Sequence, residues 1–415
     1  MKNYILLLLS FFVIFYSCSS KDGNKANNIS TTENHLKPLT DKSNHQKTEV
    51  DETEVDGKES LLTLESKEKG FDLFLDSVTP VFNYHSQPVI INNEMKILWY
   101  NQENNSLDFY DLTSKALETR VQFQLNGPNA LPGMGLGAGV KFVSPDSILL
   151  FSGPLKRIYL TDLSGKIYSK VELSKYAHGF GSVSMESPFA YRNGHIYVQI
   201  MPNIAIDAPD FSSPDYNRIA KIDLKTGEFE EFYIDPPSES KGVEMSQQLK
   251  MMDIIYNPKI DKFIISFPLS DKIIVTDFKN YKKEYVAKSS LVKDVIKLDP
   301  EKKGVPRSSI VSFFYWINSS YEKMIYDPIN DLYFREARKG ISEEAFKQRN
   351  FTEEREIIVL DSDFNKIGTF SFKSGGIYYY FFAKDYFFWN KDLKKFNLDN
   401  GVEDSLFFQG KELIF

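Results

Sequence analysis

The chain has 415 residues, of which 42% are hydrophobic, 26% charged and 14% aromatic, and this composition excludes a disordered protein and requires a sizeable core. Fifty Lys and Arg residues against 57 Asp and Glu residues give a net charge of −7 without a basic block, which excludes nucleic acid as a partner. The single cysteine excludes a disulfide framework and a cysteine-rich zinc site.

The N-terminus has the pattern of a bacterial export signal. Lys2 precedes an apolar run from Tyr4 to Tyr16, which is too short to span a bilayer comfortably as a helix. The run ends in Ser17-Cys18, which resembles the lipobox of Gram-negative lipoproteins. This resemblance implies a signal peptide over residues 1–17 and a lipid on Cys18, which would be the only contact with the membrane. An ordinary signal peptide with an incidental cysteine is the alternative.

A polar segment follows the predicted anchor. From Ser19 to Gly70 there is no aromatic residue, so the segment cannot bury enough apolar area to offset its ordering entropy. We predict a disordered tether over residues 18–60, with a reach of roughly 35 to 40 Å, and a folded domain over residues 61–415. Ser19–Gly23 resembles the signals that send lipoproteins to the surface of the outer membrane, with a periplasm-facing attachment as the alternative.

Beyond Gly70 the chain consists of short runs rich in Tyr, Phe, Ile and Val, separated by polar clusters. No long stretch has a helical period, so an all-β domain is predicted. One unit recurs: an apolar strand ending in Asp or Asn, a tight polar turn and a strand of alternating polarity. Its copies are Phe109–Leu112, Tyr159–Gly165, Lys221–Gly227, Val275–Phe278, Val359–Asp361 and, as the weakest, Phe396–Gly401.

A second unit predicts another hairpin in each repeat. Ile255–Pro258 and Ile325–Pro328 share the pattern Ile-Tyr-Asn/Asp-Pro, in which proline fixes φ and the polar side chain can bond to the turn. The two units give four strands per repeat, and six repeats predict a six-bladed β-propeller. An N-terminal strand would close the ring against the last blade. A seven-bladed ring that uses the N-terminal strands, residues 291–318 and the C-terminus is the alternative.

Several short motifs carry a resemblance to a known family. They are the lipobox, Gly127-Pro128-Asn129, Asp146-Ser147-Ile148, Asp162–Gly165 and Tyr326-Asp327-Pro328. Together they resemble a family of uncharacterised Gram-negative lipoproteins of β-propeller type, allied to the TolB-like six-bladed proteins, from about Leu61 to the C-terminus. The resemblance implies a fold and an envelope location, and it brings no activity with it.

Loop lengths predict which face of the propeller carries the functional surface. With strands named A to D from the axis outward, A–B and C–D turns lie on one face, and B–C and D–A connections lie on the other, which we call the long-loop face. Loops on a rigid scaffold commonly carry binding groups, so we expect the functional surface there. The long connections are Asn126–Ala138, Ser174–Glu186, Pro202–Asn217, Asp235–Lys250, Ser289–Ile310 and Ala337–Thr352.

Arginine and aromatic residues dominate binding hot spots, and the long connections contain both. Phe313–Trp316 is expected to lead into the fifth blade. The alternatives are that Phe314 and Trp316 pack between blades, that Arg335 pairs with a neighbouring acid, and that His178 is an ordinary loop residue. The candidate binding residues are Arg335, Arg338, Tyr216, Arg218, Trp316 and His178.

The sequence contains no complete motif for a cofactor, a metal ion or a nucleophilic catalyst. Gly133–Gly139 resembles a phosphate loop, but no predicted helix follows it. Asp361–Asn365 resembles a calcium loop, yet Lys366 replaces the turn glycine and Phe372 replaces the bidentate glutamate. No cofactor and no metal are therefore predicted, and the chain has no Gly-x-Ser-x-Gly motif.

The sequence favours an envelope binding module for a protein, peptide or glycan. The alternative is a hydrolase acting on a polymer, with two acidic residues of the long connections as acid and base. Nothing in the sequence singles out a pair among these carboxylates. The candidates are Glu186, Asp207, Asp210, Asp215, Glu244 and Asp253.

Overall fold

Antiparallel sheets, five of them with four strands and one with five among the described residues, are the repeating unit of the computed structural model. The described residues are 68–80, 86–127, 130–132, 138–176, 179–180, 189–201, 218–235, 237, 247–293, 296, 307–374, 380–383, 386–390 and 405–413. Six such sheets are the blades of a β-propeller, which confirms the predicted fold class. The predicted signal peptide, Cys18 and the tether lie outside the described residues.

Three blades come from the first half of the domain. Blade 1 has strands β2 (Ser86–Ile91), β3 (Glu94–Asn101), β4 (Ser106–Asp111) and β5 (Ala116–Gln122). Blade 2 has β6 (Ala138–Ser144), β7 (Ser147–Ser152), β8 (Arg157–Thr161) and β9 (Ile167–Glu172). In blade 3 two short segments, β10 (Gly179–Phe180) and β11 (Ala190–Arg192), pair with β12 (His195–Met201), and β13 (Arg218–Asp223) and β14 (Phe229–Tyr233) follow.

The second half supplies the other three blades. Blade 4 has β15 (Asp253–Asn257), β16 (Lys262–Ser266), β17 (Lys272–Thr276) and β18 (Lys282–Val286). Blade 5 has β19 (Ser320–Asp327), β20 (Leu332–Arg338), β21 (Glu353–Leu360) and β22 (Lys366–Ser374). Blade 6 has β23 (Tyr380–Ala383), β24 (Tyr386–Asn390), β25 (Ser405–Glu412) and, from the start of the domain, β1 (Glu68–Phe74).

Strand β1 closes the ring. It pairs antiparallel with β25, with Phe71 opposite Phe408, so the first strand of the domain is the outermost strand of the last blade. The ring therefore closes as the sequence predicted. The seven-bladed alternative is not what forms, because residues 307–317 of the insertion are a helix.

Strands that neighbouring blades cover on both faces are buried, whereas an outermost strand is not. All seven residues of β20 are buried because blade 5 is covered by neighbours on both faces, whereas the outermost strand β18 is mostly exposed and carries three charged residues. Between blades 4 and 5 the core contains Ile264, Ile273 and Ile358, each fully buried. Full burial of such a side chain contributes about 1.5 to 3 kcal/mol, so the layers between blades are the main source of stability.

The recurring aspartate of the sequence caps the C–D turns. Its carboxylate accepts a backbone N–H from two residues further on at 2.8 to 3.0 Å, which is the bond expected of an Asx turn. The five aspartates are Asp111, Asp162, Asp223, Asp277 and Asp361. The sixth copy, Phe396–Gly401, lies outside the described residues.

In the part of the chain that the structure describes, three helical segments interrupt the strands: a 3₁₀ helix (Gln247–Lys250), α1 (Arg307–Ile317) and α2 (Glu343–Lys347). Phe313–Trp316 lie in α1, which ends at Ile317 shortly before β19, so they lead into blade 5 as a helix. Ile310, Phe313, Phe314 and Ile317 pack as one buried cluster at helical spacing. Among the described residues no helix has the length and apolar character needed to cross a membrane.

Candidate functional site

Within the described ranges, the long-loop face carries helical segments at the connections of blades 4 and 5. Every described A–B and C–D turn has two to five residues, whereas the connections 234–252, 287–319 and 339–352 are much longer and all belong to the other two classes. We define the helical cap as the 3₁₀ helix, α1, and the connection 339–352 with α2. The structure thus confirms the predicted sorting of loops for the described connections.

The helical cap is held together by aromatic contacts. The ring of Phe313 on α1 packs edge-on against Phe346 on α2, with 5.1 Å between the ring centroids. Leu249 of the 3₁₀ helix packs with Leu269 and with the ring of Tyr315. The three segments therefore form one small layer above the blades.

The chain enters the connection 339–352 through a tight passage at Gly340. A Cβ placed on this glycine would lie 2.1 Å from the carbonyl oxygen of Ile317, at the end of α1. The backbone N–H of Ile341 donates to the carbonyl of Trp316 at 2.9 Å. Only glycine lets the two segments approach this closely.

Arg338 fastens the helical cap to blade 5. Its guanidinium donates to the carbonyl oxygens of Tyr315 and Trp316, at the C-terminal end of α1, at 2.8 and 3.3 Å. It also pairs with Glu322 at 2.9 Å and Glu353 at 3.1 Å. These two carboxylates raise the pKa of Arg338 although its burial opposes this.

An ion-pair network extends from Arg338 towards blade 6. Arg355 pairs with both Glu353 and Glu336. The Tyr380 hydroxyl, on the innermost strand of blade 6, donates to Glu336 at 2.7 Å. Burial, reinforced by the Glu336 carboxylate, raises the pKa of Tyr380, so this hydroxyl stays protonated and acts as a donor. Each of the two arginines in the network thus pairs with two carboxylates, and the two share Glu353.

Glu322 is the network carboxylate nearest to solvent. Its side chain is 22% exposed, against 1% for Glu353. The Tyr315 hydroxyl donates to it at 2.9 Å. Burial opposes ionisation, but the charges of Arg338 and Arg355 outweigh it and lower the pKa of Glu322. A carboxylate held ionised and paired in this way is a structural anchor.

Arg335, the other predicted arginine, points to the opposite side of β20. Its guanidinium donates to Ser266 Oγ and to the carbonyl oxygens of Phe267, Ser270 and Ala287, at 2.6 to 3.1 Å. The guanidinium carbon lies 3.5 Å from the centroid of the Tyr321 ring. Arg335 therefore ties blade 4 to blade 5, and no carboxylate among the described residues forms an ion pair with it.

Burial corrects the roles predicted for these arginines. Both Arg335 and Arg338 are 0% exposed, so neither guanidinium can contact a partner molecule at the surface. The suggested pairing with an acid holds for Arg338 instead of Arg335. The reason is that a B strand is covered on both faces by neighbouring blades, a tertiary effect that a strand-end position does not show.

Trp316 reaches the surface, unlike the two buried arginines. It is partly exposed, and its ring packs 4.7 Å from that of Phe351, which is also partly exposed. The Arg338 guanidinium carbon lies 5.7 Å from the Trp316 ring. The structure therefore brings Trp316 and Arg338 together, with the arginine underneath and the two aromatic rings above.

The other predicted residues do not join this site in the described structure. Arg218 begins β13 and pairs with Glu231 on the adjacent strand at 3.1 Å. Tyr216 and His178 lie outside the described residues. Among the candidate acids only Asp253 is described, and its buried carboxylate accepts the backbone N–H of Met324 at 2.7 Å.

Sequence reasoning missed Phe351, Glu322, Glu353 and Arg355. The four charged residues Glu353–Glu356 are typical of a solvated strand, so nothing local marks them as buried. In the described part of the chain no group of three or more His, Cys, Asp or Glu side chains could hold a metal ion. Asp361 forms the turn described above.

Solved structures share the fold. A member of the DUF4221 family from Bacteroides vulgatus is 20% identical, with a TM-score of 0.66 over 86% of this chain and 99% of that one. A putative exported protein from Bacteroides fragilis is 12% identical, with a TM-score of 0.50 over 84% of this chain and 96% of that one. At these identities the likeness shows the fold alone.

Sequence comparisons identify the family. No curated protein matches the chain. The family model described as "Domain of unknown function (DUF4221)" matches residues 58–368, which is most of the propeller. The chain therefore belongs to the DUF4221 family.

Proposed function

We propose that this protein is a lipid-anchored envelope protein, allied to the TolB-like propellers, that binds a protein, peptide or glycan partner through its long-loop face. The observation that carries the proposal is the partly exposed pair Trp316 and Phe351 on the helical cap. Aromatic residues held rigidly lose little entropy on binding, and Arg338 holds α1 by its terminal carbonyls. The partner contacts the aromatic pair, and the arginines act as positioning residues beneath it.

Attachment of the domain follows from the N-terminal signal. Cys18 carries the lipid, and the polar tether holds the propeller away from the outer membrane. Cys18→Ser should move the protein from the membrane fraction to the soluble fraction of a cell lysate. Membrane attachment that persists in this variant would refute the anchor.

The binding proposal is tested by site-specific photo-cross-linking in intact cells. A photoreactive phenylalanine at position 351 reports on the helical cap, and the same residue at position 168 is the matched control, because Tyr168 is an exposed aromatic residue on β9, an outer strand. We expect a discrete adduct from position 351 only. The same adduct from both positions, or adducts only from position 168, would overturn the proposal.

A further inference from the structure

An open pocket lies at the outer rim of the propeller, between blades 2 and 3, away from the helical cap. We call it the rim pocket. Its volume is about 480 Å³, within the range of small-molecule sites. Residues that follow β9 form one wall, and the C and D strands of blade 3 with their connecting turn form the other.

The wall of the rim pocket contains a fixed aromatic pair. The rings of Tyr176 and Phe229 are stacked with their centroids 4.2 Å apart. The Tyr176 hydroxyl donates to the carbonyl oxygen of Gly227, whose φ of +70° is a conformation that favours glycine. The aromatic surface is therefore preformed, which lowers the entropic cost of placing a ligand against it.

Four charged or titratable side chains of the pocket are already satisfied. Lys221 pairs with Glu230 at 2.9 Å, and this hydrogen bond raises the pKa of Lys221. The Nε2 atom of His195 lies 3.3 Å from Asp223, whose carboxylate also accepts the N–H groups of the C–D turn. These two pairs shape the pocket and offer no uncompensated charge.

Two further charged side chains line the pocket without such a partner. Among the residues that the structure describes, neither the Lys175 ammonium nor the Glu228 carboxylate has an ion pair or a side-chain hydrogen bond, and both residues are exposed. The Lys175 ammonium lies 5.2 Å from the centroid of the Tyr176 ring. The described lining therefore contains one cation and one anion without an ion-pair partner, beside an aromatic surface.

We propose that the rim pocket binds a small zwitterion, namely a free amino acid or a short peptide with both termini free. The ligand carboxylate pairs with Lys175, the ligand ammonium pairs with Glu228, and an apolar side chain lies against Tyr176 and Phe229. A neutral ligand leaves both charges unused, and a ligand with a single charge uses only one of them. This site is independent of the partner proposed for the long-loop face.

The test uses the dipeptide glycyl-phenylalanine, its N-acetyl form and its C-terminal amide as probes, with binding measured by calorimetry. We expect each blocked form to bind the wild-type protein about tenfold more weakly, which corresponds to about 1.4 kcal/mol for each lost charged contact. Glu228→Gln should weaken binding of the free dipeptide by the same factor and leave the N-acetyl form unaffected. Lys175→Gln should weaken binding of the free dipeptide by the same factor and leave binding of the C-terminal amide unaffected.

Lys225→Gln is the matched control, because Lys225 lies on the same C–D turn without lining the pocket. It should bind all three probes as the wild type does. The proposal is overturned if the free dipeptide does not bind, or if the blocked forms bind the wild type as tightly as the free dipeptide does. Losses in Lys175→Gln and Glu228→Gln that do not depend on the blocked terminus would also overturn it.

Discussion

Arg335 and Arg338 are three positions apart on β20 and are equally buried, yet they are stabilised in different ways. Arg335 faces blade 4 and is held by a hydroxyl, three carbonyl oxygens and the Tyr321 ring, and burial lowers its pKa to about 10. Arg338 contacts Glu322, Glu353 and the end of α1, and these carboxylates raise its pKa. A buried cation can therefore be supported either by backbone dipoles or by counter-charges.

The two arginines stabilise different parts of the molecule. The bonds of Arg335 join the B–C turn and the end of the D strand of blade 4 to blade 5, which fixes one blade against the next. Arg338 joins an inserted helix to the sheet, and its bonds fix the surface that carries Trp316. The first arginine supports the ring, and the second supports the proposed binding surface.

The largest expected effect comes from Arg338→Met. The change leaves Glu322 and Glu353 facing each other with one cation fewer, and we expect a loss of about 3 to 5 kcal/mol in the free energy of unfolding. Adding Glu322→Gln should restore part of this loss, because it removes one uncompensated charge at nearly constant volume. Urea unfolding of both variants checks this. A double variant no more stable than Arg338→Met would show that counter-charge is not what Arg338 supplies.

Arg335→Lys tests whether Arg335 depends on hydrogen bonds to neutral acceptors. A single ammonium cannot reach four acceptors placed for a planar guanidinium, so we expect a loss of about 2 kcal/mol. No carboxylate pairs with Arg335 among the described residues, so Asp271→Asn should not compensate for the loss. Recovery of stability in the double variant, measured by urea unfolding, would contradict the backbone-dipole account.

Gly340→Ala tests the close approach beside Arg338. The added methyl group would meet the Ile317 carbonyl, and we expect a cost of about 1 to 3 kcal/mol with increased hydrogen exchange in α1. Gly194→Ala is the control: its φ is +78° but no atom lies within 4 Å of the new Cβ, so only about 1 kcal/mol should be lost and α1 should be unaffected. Equal protection of α1 in both variants would argue against the tight passage.

The smallest expected effect concerns Asp277, an anion that backbone N–H groups support much as carbonyls support Arg335. Burial opposes its ionisation, but the N–H groups of Tyr281, Lys279 and Asn280 outweigh it and lower the pKa of Asp277 to about 2. A lowered pKa stabilises the fold above the ordinary value near 3.8, and this contribution is lost as the pH falls towards 2.

Asp277→Asn should therefore cost about 1 kcal/mol at neutral pH and nothing near pH 2. Urea midpoints of the variant and the wild type, measured from pH 7 to pH 2, check this. A gap between the two proteins that stays constant across the range would contradict the assignment.

Features that depend on contacts between residues close in the sequence could be predicted. The aspartate of each C–D turn bonds to a backbone N–H only two residues away, so Asp111 or Asp361 marks its turn without any distant contact. Because this turn recurs in five of the blades, the repeat could be recognised and a closed ring of blades predicted. The long connections could be assigned to the B–C and D–A classes because the recurring turns mark the C–D positions.

Features that depend on distant contacts could not be predicted. Whether Arg335 is exposed depends on blade 4, which approaches only once the ring has closed. Ile310, Phe313 and Ile317 do have a helical period, but the aromatic run at 313–316 has high strand propensity and masks it. The Arg355 pairs join strands β20 and β21, and no spacing in the sequence indicates them.

The most direct test of the central claim is the affinity of the partner identified by cross-linking for folded wild-type protein and for Trp316→Ala. If the aromatic pair on the helical cap is the contact surface, Trp316→Ala should weaken binding at least tenfold, while Tyr168→Ala should bind as the wild type does. Equal affinity of the wild type and Trp316→Ala, with the fold of both intact, would contradict the account.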